Sequence, residues 1–243
     1  MTLHRVHVDL PLQCGESLTL PPAAFRHLIQ VLRLKTGAAV TVFNGRGGEY
    51  RARIGQVSKR QAWIEVVEFV DVSRESPLDL RLVQAVSKGE RMDWTVQKAA
   101  EIGATQVVPV LSQFCNVSMN AARWEKKRTH WQAVMTAACE QCGRTRIPAL
   151  GPIQTLSDWL DSPAAGTRLI LDPDQGQPIA NFAGATAPID LLIGPEGGFS
   201  ESEIRTAINA GCKAARMGPR LFRTETAGLA AMAVLQALAG DLN

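Results

Sequence analysis

The sequence predicts a two-part protein: a small basic β-barrel carrying one helix, then an α/β domain on a mainly parallel sheet. Three observations predict this. Residues 1–72 are mostly short runs in which apolar and polar residues alternate, the period of half-buried strands. After Val72-Ser-Arg-Glu-Ser-Pro77, a polar stretch ending in proline, strand-like apolar runs alternate with amphipathic helical ones. Positive charge is also lopsided: the first 60 residues hold nine basic against three acidic side chains, although the 243-residue chain carries only +3. The domains are therefore expected at 1–72 and 77–243, with the basic one facing a polyanion.

In the first part, Val6, Val8 and Leu10 alternate with polar residues, as do Leu18 and Leu20. Pro21-Pro22 opens a helix whose apolar stripe is Phe25, Leu28, Ile29 and Leu32, with Arg26, His27, Arg33 and Lys35 on its other face and exit. Ala39–Phe43 and Tyr50–Ile54 read as strands joined through Asn44-Gly-Arg-Gly-Gly48, a hairpin signal. Ala62–Val67 supplies another strand.

In the second part, Leu80–Val86 and Val107–Leu111 are strands, and Glu90–Ile102 is a helix ended by Gly103, with Met92, Val96 and Ala99 inward. Arg123–Cys142 is a long helix with Trp124, Trp131, Val134, Met135, Ala138 and Cys142 on its apolar side. Arg168–Leu171, Leu191–Ile193 and Ala214–Met217 are short strands, and Ser200-Glu-Ser-Glu203 is a capping box opening the Ile204–Asn209 helix. The last helix, Glu225–Ala239, is apolar on several sides and must be covered on more than one face.

Composition excludes several classes. No apolar run approaches the roughly 20 residues of a membrane span, and the N-terminal residues lack a signal peptide's apolar core. The cytoplasm is the expected compartment. Five scattered cysteines make no disulfide framework. Cys139-Glu-Gln-Cys142 sits within a helical pattern without a second pair or a nearby histidine, so it reads as structural thiols rather than a metal or redox site. Neither a metal-ligand cluster nor a Ser-His-Asp set is apparent, which leaves hydrolysis and metal chemistry without support.

Chemistry points to 191–238. Two apolar strands each enter a Gly/Pro-rich loop backed by a helix, and glycines let a flat ligand approach the exposed main chain. Charged residues stand among the glycines: Glu196, Arg220, Arg223 and Glu225. The plainer alternative makes these ordinary turns, with the arginines pairing with Glu225 at a helix N-terminus.

Ile193-Gly-Pro-Glu-Gly-Gly-Phe199 followed by Met217-Gly-Pro-Arg-Leu-Phe-Arg-Thr-Glu-Thr-Ala227 resembles the paired cofactor loops of the SPOUT methyltransferases. Within that superfamily it resembles the RsmE family, the small-subunit rRNA uridine-N3 methyltransferases. The related ribose 2′-O-methyltransferases share Gly-Pro-Glu-Gly but follow it with Ile-Pro-Met and Ser-Leu-Asn-Val-Ser. Lys88-Gly-Glu-Arg-Met-Asp-Trp94, Gln97-Lys-Ala-Ala-Glu101 and Glu140-Gln-Cys-Gly-Arg144 match the same pattern, and His27–Lys35 resembles the family's PUA-like RNA-binding domain. One departure is Gln113-Phe-Cys115, where the family often carries an arginine after the position of Ser112.

The resemblance implies a SPOUT-like trefoil-knotted methyltransferase domain behind a PUA-like barrel, a topology no periodicity could indicate. It implies S-adenosyl-L-methionine held by Leu171, Ile193, Gly194, Pro195, Glu196, Gly197, Gly198, Met217, Gly218, Leu221 and Thr224. Arg223, Arg220 and Glu225 become the catalytic candidates, and Arg5, Arg26, His27, Arg33, Lys35, Lys88 and Arg91 the RNA contacts. The implied partners are 16S rRNA in the small ribosomal subunit and a second copy of the chain, joined through the last helix. Two rivals stay open: a non-catalytic rRNA-binding or assembly factor, and an enzyme of this fold acting on another RNA nucleotide.

Overall fold

The computed structural model describes residues 4–115 and 120–242. The chain forms two compact units, one comprising the chain up to Glu75 together with Cys139–Ile147, the other Ser76–Ala138 with the chain from Pro148 onward.

The first unit is a five-stranded mixed sheet of β1 (His4–His7), β2 (Ser17–Thr19), β3 (Ala39–Phe43), β4 (Glu49–Val57) and β5 (Ala62–Val70), ordered β1-β3-β4-β5-β2. Only β1 and β3 run parallel. Val6, Val42, Ile54 and Ile64 close on one core with Ala24, Phe25 and Leu28. The expected single helix differs in form. A short α1 (Pro22–Phe25) passes directly into a π-wound segment, Arg26–Val31, in which the Leu32 N–H donates to the His27 carbonyl at 3.0 Å. The wider winding still buries Phe25 and Leu28 and packs Ile29, Leu32 and Leu34 against the same core. Arg26, His27, Arg33 and Lys35 stay exposed.

Within this unit Cys139–Ile147 is tied in by charge. Arg5 donates to the carbonyls of Cys139 (2.6 Å) and Arg144 (2.7 Å) and to Glu49 (3.1 Å), with its guanidinium 3.8 Å from the Phe43 ring centroid. Arg5 was expected to contact RNA; instead, its donors serve internal struts and its side chain is 11% exposed. Glu75 pairs with buried Arg144 at 2.6 Å and accepts from the Thr145 and Arg146 N–H groups.

The second unit holds an eight-stranded sheet whose pairings are all parallel. Its strands are β6 (Leu80–Ala85), β7 (Gln106–Leu111), β8 (Ala149–Leu150), β9 (Gln154–Thr155), β10 (Thr167–Leu171), β11 (Gln177–Pro178), β12 (Ile189–Ile193) and β13 (Lys213–Arg216). The order is β11-β13-β10-β12-β6-β7-β8, with β9 also on β7. Near-continuous burial of β6, β7, β10 and β12 is what a parallel sheet covered on both faces requires. The helices are α2 (Arg91–Ile102), α3 (Ala121–Cys142, whose residues from Cys139 on belong to the first unit), α4 (Leu156–Asp161), α5 (Glu201–Asn209) and α6 (Thr224–Ala239). Gly103 closes α2 in the left-handed conformation, and Ser200 and Glu203 form the expected capping box on α5.

After β13, α6 packs on α2, β12 and β6. Leu229 and Met232 are buried within this unit, so its own chain covers the faces of α6 that carry them. No helix among the described residues is long and apolar enough to cross a membrane.

Candidate active site

β13, β10 and β12 are neighbours, and the loops leaving their C-terminal ends line one cavity of about 790 Å³. This is the crevice where open parallel sheets bind ligands. Leu171, Asp172, Pro173 and Asp174 come from the β10 loop, Ile193–Phe199 from β12, and Ala215–Met217 with Arg220–Glu225 from β13 into α6; Arg91 of α2 completes one wall.

Backbone geometry explains the glycines. Gly198 has φ +71° and donates its N–H to the Pro195 carbonyl at 2.9 Å, closing a tight turn. A Cβ on Gly194 would stand 3.3 Å from the Gly198 backbone, and one on Gly197 would stand 3.1 Å from Phe114 Cβ. Gly218 also has φ +71°, yet it does not line the cavity; it turns the loop that does.

The two loops are joined under the cavity. The Thr224 hydroxyl, at the first turn of α6, donates to the Gly194 carbonyl at 2.5 Å and accepts from Gln84 Nε2 at 3.0 Å. Gln84 lies in the middle of the sheet, fully buried, and its amide also donates to the Ala85 carbonyl at 3.0 Å. A hydroxyl has one proton, so the Gln84 donor leaves the Thr224 proton for Gly194. Sequence reading missed Gln84; its signal was a lone amide inside the apolar run Leu80–Val86.

Glu196 accepts from Arg91 Nη1 at 2.6 Å and from the Lys88 N–H at 3.1 Å. Partial burial disfavours its charge, but its own backbone N–H, Arg91 and the Lys88 N–H hold its pKa below the ordinary carboxylate value. Glu225 lies 3.8 Å from Arg91 Nε. Arg91, expected as an RNA contact, stays partly exposed while its guanidinium bridges these two carboxylates on the cavity wall. The expected alternative pairing of Arg220 and Arg223 with Glu225 is absent. Among the described residues the two arginine side chains have neither ion pair nor hydrogen bond, and both are exposed on the cavity rim.

Beyond Leu171, which was expected, the β10 loop was also missed. Asp172 is buried and accepts from the N–H groups of Asp174 (2.9 Å) and Gln175 (3.2 Å), fixing a turn that Asp172-Pro-Asp-Gln-Gly176 announces locally. Of the residues assigned to RNA, Arg26, His27, Arg33 and Lys35 lie in the first unit, and Lys88 is exposed beside the cavity loop. Cys139 is buried, and a hydrogen bond with Cys142 together with burial pushes its thiol well above the ordinary value. Burial pushes Cys212 up to about 11. Both shifts favour the neutral thiol over the thiolate.

Two glycine loops tied together at one edge of a parallel sheet frame the cavity, and a family match defines the class as an RNA methyltransferase. Residues 74–236 match the RNA methyltransferase domain, and residues 20–67 match the RNA methyltransferase PUA domain. The ribosomal RNA small subunit methyltransferase E of Buchnera aphidicola from Schizaphis graminum is 30% identical over 240 residues, 98% of either chain. A protein of the same name from Neisseria gonorrhoeae, crystallised with S-adenosyl methionine, superposes with a TM-score of 0.95 at 36% identity over 99% of this chain and 100% of that one. A putative methyltransferase from Legionella pneumophila in complex with the same cofactor gives 0.96 at 38% identity over the full length of both. The chain belongs to the small-subunit ribosomal RNA methyltransferase E family.

Proposed function

We propose that the protein transfers a methyl group from S-adenosyl-L-methionine to N3 of a uridine in 16S rRNA. The observation that carries this reading is a cavity closed by two tied glycine loops with two unpaired guanidinium groups on its rim. The cradle suits the cofactor: glycine backbone approaches where side chains would obstruct, Ile193, Leu171 and Met217 offer apolar surface, and main-chain groups line the loops. S-adenosylmethionine, when bound, supplies an activated sulfonium methyl.

The protein's task is to align the acceptor and manage one proton. A neutral uracil imide is a poor nucleophile. Arg223, with Arg220 beside it, stabilises charge on the uracil carbonyl oxygens as the N3 proton departs. Glu225 or a water takes that proton, after which N3 bonds to the methyl carbon as the carbon–sulfur bond breaks. Arg91 and Glu196 hold the loop that carries Gly194–Gly198. The first unit, which adds Cys139–Ile147 to the segment expected at 1–72, is the RNA-binding domain, and the second unit, the rest of the segment expected at 77–243, is the catalytic one. Exposed Arg26, His27, Arg33 and Lys35 contact phosphates there, and Lys88 does so beside the active site. The working protein is a cytoplasmic homodimer acting on the small ribosomal subunit.

Mass mapping of rRNA nucleosides from cells lacking the gene, with and without the wild-type protein restored, tests this. Loss and return of a single N3-methyluridine in 16S rRNA is the expected result. A change in another nucleotide would redirect the substrate assignment, and no change with intact cofactor binding would favour an assembly factor.

A further inference from the structure

Arg46 and Arg146 face each other across an isolated antiparallel bridge within the first unit. Residues paired in this way project to one face, and like charges directly opposite destabilise the pairing. Both residues are exposed, and among the described residues neither guanidinium has an ion pair or hydrogen bond. The neighbouring carboxylates are committed elsewhere. Glu75 serves Arg144 and two backbone N–H groups, Glu49 serves Arg5 and Arg74, and Glu140 accepts from the His7 N–H.

The pair is also built into the fold. A Cβ on Gly47, whose φ is +101°, would stand 3.3 Å from Arg146 Nη2, so the glycine turn makes room for that guanidinium. The Gly47 N–H donates to the Thr145 carbonyl at 3.3 Å, and the Arg46 N–H donates to Asn44 Oδ1 at 3.1 Å. The turn is thus held while both cations are left free.

We propose that Arg46 and Arg146 form a clamp for one phosphate of the RNA backbone. A phosphodiester between two guanidinium forks would remove the repulsion and accept charge-assisted hydrogen bonds from both. This rests on the RNA-binding reading of the first unit given above and adds a contact on elements other than Arg26–Lys35.

The test uses the full-length protein and small ribosomal subunits from cells lacking the gene, with filter binding over a series of potassium chloride concentrations. The double variant Arg46→Ala/Arg146→Ala should lower the magnitude of the salt slope by about 0.7–0.9, one phosphate's worth. A fall of twice that size would mean two separate phosphates and overturn the clamp. Arg46→Glu puts a carboxylate opposite Arg146. It should keep or raise Tm while weakening subunit affinity about 10–100-fold, a combination that a merely structural residue would not give. Arg33→Glu/Lys35→Glu is the control. If it weakens binding while the Arg46 and Arg146 variants leave affinity and slope unchanged, the clamp fails and the RNA-binding reading stands. If the control is silent too, that reading of the first unit fails and the clamp goes with it.

Discussion

The hydroxyl of Thr224 holds the carbonyl of Gly194 at 2.5 Å, pinning one cavity loop to the helix that leaves the other. Thr224→Val keeps the shape but removes the donor, leaving a carbonyl unpaired and Gln84 with one acceptor fewer. It should cost about 1–3 kcal/mol in denaturant unfolding and weaken cofactor binding by calorimetry, whereas Thr224→Ser should keep most of both. Equal affinity in wild type and Thr224→Val would mean that the tie serves only the fold.

Gly228, one turn further into α6, is where the helix rests on the sheet. A Cβ there would stand 3.0 Å from Leu82 Cδ1 and 3.1 Å from Ile193 Cγ1. Gly228→Val overfills this contact and should destabilise the protein by about 1–3 kcal/mol. Displacing Ile193 should also lower cofactor affinity more than Tm alone accounts for; unchanged affinity in the folded variant would dissociate helix packing from the site.

Arg223 is the residue expected to act on the uracil. Arg223→Ala should cut single-turnover methylation by about 10²–10³ with cofactor affinity near wild type. The residual rate should climb with pH, because solvent must then supply the N3 anion. Arg223→Lys should rescue in part, a point charge replacing a planar fork. If Arg223→Ala loses cofactor binding instead, Arg220 is the next residue to assay.

The tie of Glu196 to Arg91 has a defined acid limit. Because the Glu196 pKa is lowered in the folded protein, its contribution is complete above the ordinary carboxylate value and is lost as pH falls through the lowered one. Cofactor affinity should therefore step down on the acid side in wild type and not in Glu196→Gln. A carboxylate NMR titration of Glu196 locates the step directly, and a normal titration would remove Arg91 as its anchor.

For the homodimer, sedimentation at micromolar concentration should give twice the 26.3 kDa chain mass. Burial of Leu229 and Met232 moves the expected contact to the outer part of α6, where Leu238 is 51% exposed. Leu238→Glu places a charge twice in an isologous interface and should yield monomer. A monomeric wild type would end the proposal.

Much of this was legible in the residues because the signals are local. The apolar runs of β6, β10 and β12 and the Ser200–Glu203 box carry their own instructions, as do the glycines at 103, 194 and 198. The two-residue strands β8, β9 and β11 have no period to read, and α4 is barely longer than one turn. The π-winding of Arg26–Val31 reflects how Phe25 and Leu28 seat in a core drawn from distant strands. The internal role of Arg5 and the pairing of Arg91 were not legible for one reason: a sequence gives a charge but not its partner, and these partners, Glu49 and Glu196, are far away along the chain.

The membership of Cys139–Ile147 in the first unit has a consequence for how this protein could be taken apart or built up. Its domains are not beads on a string, since the N-terminal one borrows a segment encoded more than sixty residues downstream of its apparent end. A chain begun at Ser76 would keep Arg144 but lose Glu75, while a chain stopped there would leave Arg5 without two of its acceptors. Neither piece is a module that recombination could graft elsewhere intact. Exchange between homologues should succeed only when both parts of the discontinuous unit travel together.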